Sequence, residues 1–160
     1  MNRPDRRRFL DPRWPVGLLL GLWAFAASAS APPGRYTIPG DGTVHDTKTG
    51  LVWQQAAAPG TYTWSQASSY CGGLSLPGTG WRLPSVKELM TLVDFTVAPP
   101  GPTIDSTVFS NPNQNLPAQL PFWSSSPLTG NAYIGWAVDF GVSVPNVSDL
   151  TNSGQARCVR

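Results

Sequence analysis

Apolar and polar positions alternate most regularly over residues 133–140, with Ile134, Trp136, Val138 and Phe140 on one face and Tyr133, Gly135, Ala137 and Asp139 on the other. This period of two predicts a half-buried strand, and Gly141 predicts a turn into a second run over 142–147. Residues 122–125 and 156–159 predict two more strands. Near the start of the same region, residues 43–46 and 51–54 flank the turn-like Thr47-Lys48-Thr49-Gly50 and predict a hairpin whose further sheet partners come from the C-terminal end.

Between these strands the spacing becomes helical. Thr63 and Gln66 form a capping box, Trp64, Ala67, Tyr70, Cys71 and Leu74 follow on one face, and Gly72-Gly73 ends the helix. A second box, Ser85 with Glu88, opens a helix predicted over 85–93, with Val86, Leu89, Met90 and Val93 at i, i+3, i+4 and i+7. Residues 96–120 are rich in Pro and Asn and lack periodicity, and they are expected to supply part of a ligand-facing surface carried by the loops between residues 96 and 132. Strands at both ends with two helices between them define an α+β order: two short helices packed on antiparallel strands, with long irregular loops.

Residues 1–29 differ from all that follows. Arg3, Arg6, Arg7, Arg8 and Arg13 precede the apolar run 15–27, and Ala27-Ser28-Ala29 supplies a small-x-small cleavage pattern, so 1–29 is read as a signal peptide. Arg6-Arg7-Arg8-Phe9-Leu10 resembles a twin-arginine signal, although Asp11 stands where a basic residue is usual. The apolar run is shorter than the ~20 residues of a permanent span. The expected product is exported (periplasmic, cell-surface or secreted) and not membrane-spanning, with 30–40 as a linker and 41–160 as one domain.

Removing the leader also changes the charge. Six cations (Arg35, Lys48, Arg82, Lys87, Arg157, Arg160) then face seven acids (Asp41, Asp46, Glu88, Asp94, Asp105, Asp139, Asp149). A scattered, nearly neutral set cannot track a phosphate backbone, which excludes nucleic acid as a partner. Cys71 and Cys158 are the chain's two cysteines. In an oxidising compartment an intramolecular disulfide is the default, with free thiols, a metal pair or an intermolecular bridge as the competing states.

The blocks Thr49-Gly50-Leu51-Val52-Trp53-Gln54, the helix with Trp64 and Cys71, Trp81-Arg82-Leu83-Pro84-Ser85 with Glu88-Leu89, Phe122-Trp123-Ser124-Ser125, Val138-Asp139-Phe140 and Arg157-Cys158-Val159-Arg160 resemble, in order, the Lcl C-terminal domain family. The resemblance implies a C-type-lectin-like fold, related to that of the formylglycine-generating enzymes. For the family's founding collagen-like adhesin, it implies a trimeric module that binds sulfated glycosaminoglycans. This chain has no Gly-X-Y period to enforce a collagen trimer, so its oligomeric state stays open, and it has no basic patch for sulfated sugars. The resemblance also matches the cysteine pair to the fold-closing bridge of lectin-like domains.

Trp53, Trp81, Arg82, Glu88 and Trp123 form the structural signature. Arg82 is expected to tie loops together through its planar donors and to pair with Glu88, in preference to forming a binding site. His45 lacks a nucleophile elbow or a second ligand, which disfavours both a triad and a zinc site. No cofactor is expected; calcium is left open by Asp94, Asp105, Asp139 and Asp149, although no EF-hand spacing accompanies them. Asn131, Tyr133, Trp136 and Asp139 are the candidate ligand-binding residues, set against the alternative that aromatics at strand spacing are core. The expected function is a non-enzymatic binding or adhesion module for a carbohydrate or surface ligand. The alternatives are an envelope assembly domain with protein partners and a formylglycine-generating-type oxidative enzyme.

Overall fold

A computed structural model describes residues 29–113 and 120–160. The leader up to residue 28 and residues 114–119 of the long loop lie outside the described residues. Two antiparallel three-stranded sheets carry the fold. The first contains β1 (Tyr36–Thr37), β2 (Thr43–Asp46) and β3 (Val52–Gln54) in that order. The second contains β4 (Phe122–Leu128), β5 (Asn131–Asp139) and β6 (Val144–Asp149), also in order. Helices α1 (Trp64–Gly72) and α2 (Val86–Met90) lie between them in the chain. The architecture is therefore mostly β, with less helix than an α+β order implies.

The predicted hairpin is present, with Thr43 opposite Gln54 and His45 opposite Val52. Residues 30–40 are not a free linker, because β1 extends the sheet by pairing Tyr36 with Asp46. Both capping boxes form in full: Thr63 with Gln66, and Ser85 with Glu88. Helix α2 ends at Met90, short of the predicted residue 93. The chain tightens there into turns in which Leu92 and Val93 donate to the carbonyls of Leu89 and Met90, and both side chains stay buried.

The C-terminal tail joins the two sheets. Val52 and Arg160 exchange backbone hydrogen bonds, as do Arg82 and Val159, while Gln54 N–H donates to Cys158 and Trp123 N–H to Gln155. The tail is thus not a continuous strand; it makes isolated bridges to Trp53, Tyr62, Arg82 and Phe122. Its alternation feeds two cores. Val159 packs with Val44, Trp53, Leu89, Phe109, Phe122 and Val138. Ala156 and Cys158 pack with Ala67, Cys71, Trp81, Leu83 and Trp123.

Strand β5 departs from its expected one-faced pattern. Gly135 and Ala137, on the face predicted to be polar, are buried, whereas Ile134 and Trp136 are only half-buried. The sheet is covered on both sides: Val138 faces the first core and Ala137 the second. A side chain at Gly135 would meet Leu150 at 2.9 Å, which explains the small residue.

Two features hold the tail. Cys71 at the end of α1 is bonded to Cys158, with Cα atoms 5.3 Å apart, and both residues are fully buried. Beside it, Arg157 is 1 % exposed. Its guanidinium donates to the carbonyls of Gln54 (2.8 Å), Gln55 and Ser110 (3.0 Å) and lies over the rings of Phe109 and Phe122. The loop-tying role expected of Arg82 thus belongs mainly to Arg157, whereas Arg82 reaches one backbone carbonyl, that of Leu83. Burial pulls the Arg157 pKa down to about 9, which still leaves it charged at neutral pH.

Two stability measurements follow. Replacing both cysteines by Ala should cost about 4 kcal/mol, because the bridge closes a separation of 87 residues. Arg157→Ala should cost about 3 kcal/mol by stranding buried carbonyls, and Arg157→Lys should recover only part of it. Both are read from urea midpoints.

Candidate functional site

Helix α1 is pinned at one end by its capping box and at the other by the disulfide, with Ala67 and Cys71 turned inward. Helical spacing therefore presents Ser65 and Ser69, and Gln66 and Tyr70, on its outer side. With Thr61 and Tyr62 these residues line an open groove of about 560 Å³. Tyr62 is held by two backbone hydrogen bonds with Gly154 and donates its hydroxyl to the carbonyl of Pro59. The Tyr70 hydroxyl accepts from the Gln54 amide at 2.9 Å.

The Tyr62 and Tyr70 rings lie 5.4 Å apart at a 42° tilt. Burial and the neighbouring Tyr70 raise the Tyr62 pKa, so its hydroxyl stays neutral at physiological pH. Among the described residues, no charged side chain lines the groove. The arrangement offers two ring edges with hydroxyl and amide groups around them. Such a surface suits a neutral, hydroxyl-rich ligand and has nothing to neutralise sulfate.

The signature residues lie elsewhere. Arg82 forms a two-pronged pair with Glu88 at 2.9 and 2.7 Å. Glu88 Oε2 also accepts the Ser85 N–H of the capping box. The guanidinium beside Glu88, together with that capping bond, holds its carboxyl at about 2. Trp81 is buried with its indole N–H on the Leu76 carbonyl, and Trp123 is buried with its N–H on Tyr62 O. Trp53 is fully buried with its indole nitrogen unpartnered among the described residues.

The four ligand-binding candidates do not converge. Asn131, Tyr133 and Asp139 share one face of β5, and Trp136 points to the other. Asn131 and Asp139 stand at opposite ends of the strand, roughly 25 Å apart at ~3.3 Å per residue. Tyr133 is 77 % exposed. Asn131 accepts the Tyr133 N–H, and Asp139 accepts the Gly141 N–H, so both carbonyl groups serve local turns.

The aspartates considered for calcium are spent in the same way. Asp94, Asp105 and Asp149 each accept the backbone N–H and the hydroxyl of the Thr two residues on, as Asp41 does. These bonds lower each carboxyl's pKa. The repeated Asp-x-Thr triplet was the sequence signal for this role. Among the described residues no three His, Cys, Asp or Glu side chains gather as a metal would require. His45 is exposed on β2.

The expected ligand loop is largely anchored where it is described. Ile104 and Phe109 belong to the first core, and Gly101 and Thr103 donate to the backbone of Gly141 and Phe140. A second, smaller cleft of about 390 Å³ lies where residues 30–36 meet 92–96 and Asp105. Among the described residues no helix is long and apolar enough to cross a membrane.

The molecule is thus a disulfide-closed, two-sheet domain with an uncharged groove on its longer helix. The sequence model of the Lcl C-terminal domain matches residues 42–160, and the chain belongs to that family. No curated protein matches the chain.

The Arg82–Glu88 pair yields a pH prediction. A carboxyl whose folded pKa is depressed adds stability above its ordinary value of 4.5 and loses it as pH falls toward about 2. Because Arg82 is half exposed, screening leaves about 1 kcal/mol of the linkage. The stability gap between the parent and Glu88→Gln should therefore be open at neutral pH and close across that window, as followed by urea midpoints.

Proposed function

We propose that the chain is an exported, non-enzymatic binding module of C-type-lectin-like fold that recognises a neutral carbohydrate through the α1 groove. The observation that carries this reading is the uncharged, tyrosine-paired lining of a groove whose helix is fixed at both ends. Fixed side chains lose little conformational freedom on binding, and hydroxyl and amide groups can exchange hydrogen bonds with sugar hydroxyls. Family membership supports a lectin-like relationship. The absence of a lining cation argues against carrying over the founding adhesin's sulfated ligands. Cys71 and Cys158 are bonded and fully buried, which disfavours the oxidative-enzyme alternative, since that chemistry needs a reachable thiolate.

A second reading, an envelope assembly domain, is favoured by the exposed Tyr133 of β5 and by the exposed Val142, Val144 and Val147 in or beside β6, an edge strand among the described residues. A glycan array on the exported protein separates the two. Retention of a neutral sugar class, weakened tenfold or more by Ser69→Arg on the exposed face of α1, is the expected result. A blank array would favour the assembly reading. Retention unaffected by Ser69→Arg would move the site elsewhere.

A further inference from the structure

The second cleft contains two carboxylates aimed at the beginning of the described chain. Asp94 Oδ2 accepts the backbone N–H of Ser30 at 3.3 Å, and Asp105 Oδ2 accepts that of Ala31 at 2.8 Å. The other oxygen of each acid is committed to its own turn, through Thr96 and Thr107. Asp105 is 7 % exposed. Neither acid forms an ion pair among the described residues. Arg35, the cation lining this cleft, is already engaged with Asp46 at 3.0 Å and with the Thr91 carbonyl at 2.6 Å. Tyr36, also in the lining, is neutral, its pKa pushed up to about 12 by burial. Two negative charges therefore meet at backbone amides, with no cation to balance them among the described residues.

The missing cation coincides with the expected processing point. Ala27-Ser28-Ala29 places cleavage between Ala29 and Ser30. Hydrolysis there adds water across the amide, leaving a carboxylate on the departing leader and a protonated amine on Ser30. We propose that Asp94 and Asp105 form a receptor for the chain's own new amino terminus, so that export processing adds an ion pair to a segment that backbone hydrogen bonds already hold in place. The Ser30 nitrogen, which offers one neutral N–H in the uncut chain, then carries a full charge and three donors at a position already 3.3 Å from Asp94. The same segment carries Arg35, which bonds Asp46 and the end of α2, so the added ion pair reinforces the edge of the first sheet.

This inference rests on leader removal and is independent of what the α1 groove binds. The test uses the full precursor, exported by a bacterial host, with its product sequenced from the amino terminus. A companion precursor carries Gly-Ser inserted between Ala29 and Ser30, which moves the ammonium two residues away. Each is made with Asp94 and with Asp94→Asn, which keeps the acceptor for the Thr96 turn. The expected product begins at Ser30, and Asp94→Asn lowers its Tm by at least about 3 °C while changing the inserted form by less than about 1 °C. A product beginning elsewhere, or an equal Asp94→Asn effect in both backgrounds, would overturn the proposal. Sugar retention on the array is scored separately, so loss of one result does not mimic loss of the other.

Discussion

The fold depends on a cation buried without a counter-charge among the described residues. Arg157 sits among Phe109 and Phe122 and donates through its two terminal nitrogens to the carbonyls of Gln54, Gln55 and Ser110, while its Nε has no partner among the described residues. Desolvating a guanidinium is costly, and only several well-placed acceptors offset that cost. Those acceptors come from the end of the first sheet and from the long loop, so the charge can be buried only when both have arrived. The adjacent Cys158 lies on the opposite side of the tail and is bonded to α1. Two neighbouring residues thereby hold two cores, one on each face of the same extended segment.

The candidate binding surface follows from this arrangement. Because the disulfide draws the last turn of α1 inward and the capping box fixes its first turn, the outer residues of the helix stand in a set register. Tyr62, anchored to Gly154 of the same tail, completes the groove. A surface carried on a helix pinned at both ends and backed by the C-terminal tail is stiffer than one carried on a free loop, and a binding site benefits from that stiffness. The turn-forming acids have a different use: they shape turns, and Asp94 and Asp105 also accept the N–H groups of Ser30 and Ala31.

Local chemistry made part of this visible in advance. The hairpin around Thr47–Gly50, both capping boxes and the glycine stop after α1 depend on residues a few positions apart, and each is present. The cysteine pairing was readable because two thiols leave few outcomes. The assignment of loop-tying to Arg82 missed because its nearest partner, Glu88, is local and strong, whereas the acceptors of Arg157 are 102, 103 and 47 residues away in sequence. The candidates on β5 do not share one surface for a related reason: a strand nine residues long separates its ends, and alternation sends Trp136 away from Tyr133.

By itself, the sequence determined the family, the hairpin, the helix starts and the identity of the covalent closure, since these rest on short-range geometry, a recognisable order of blocks, or simple counting. Only the tertiary structure decided which arginine goes inside and that β5 is covered on both faces. Burial and convergence are properties of segments meeting across long sequence separations. The period of a single strand or helix records which sides differ, but not what will cover them.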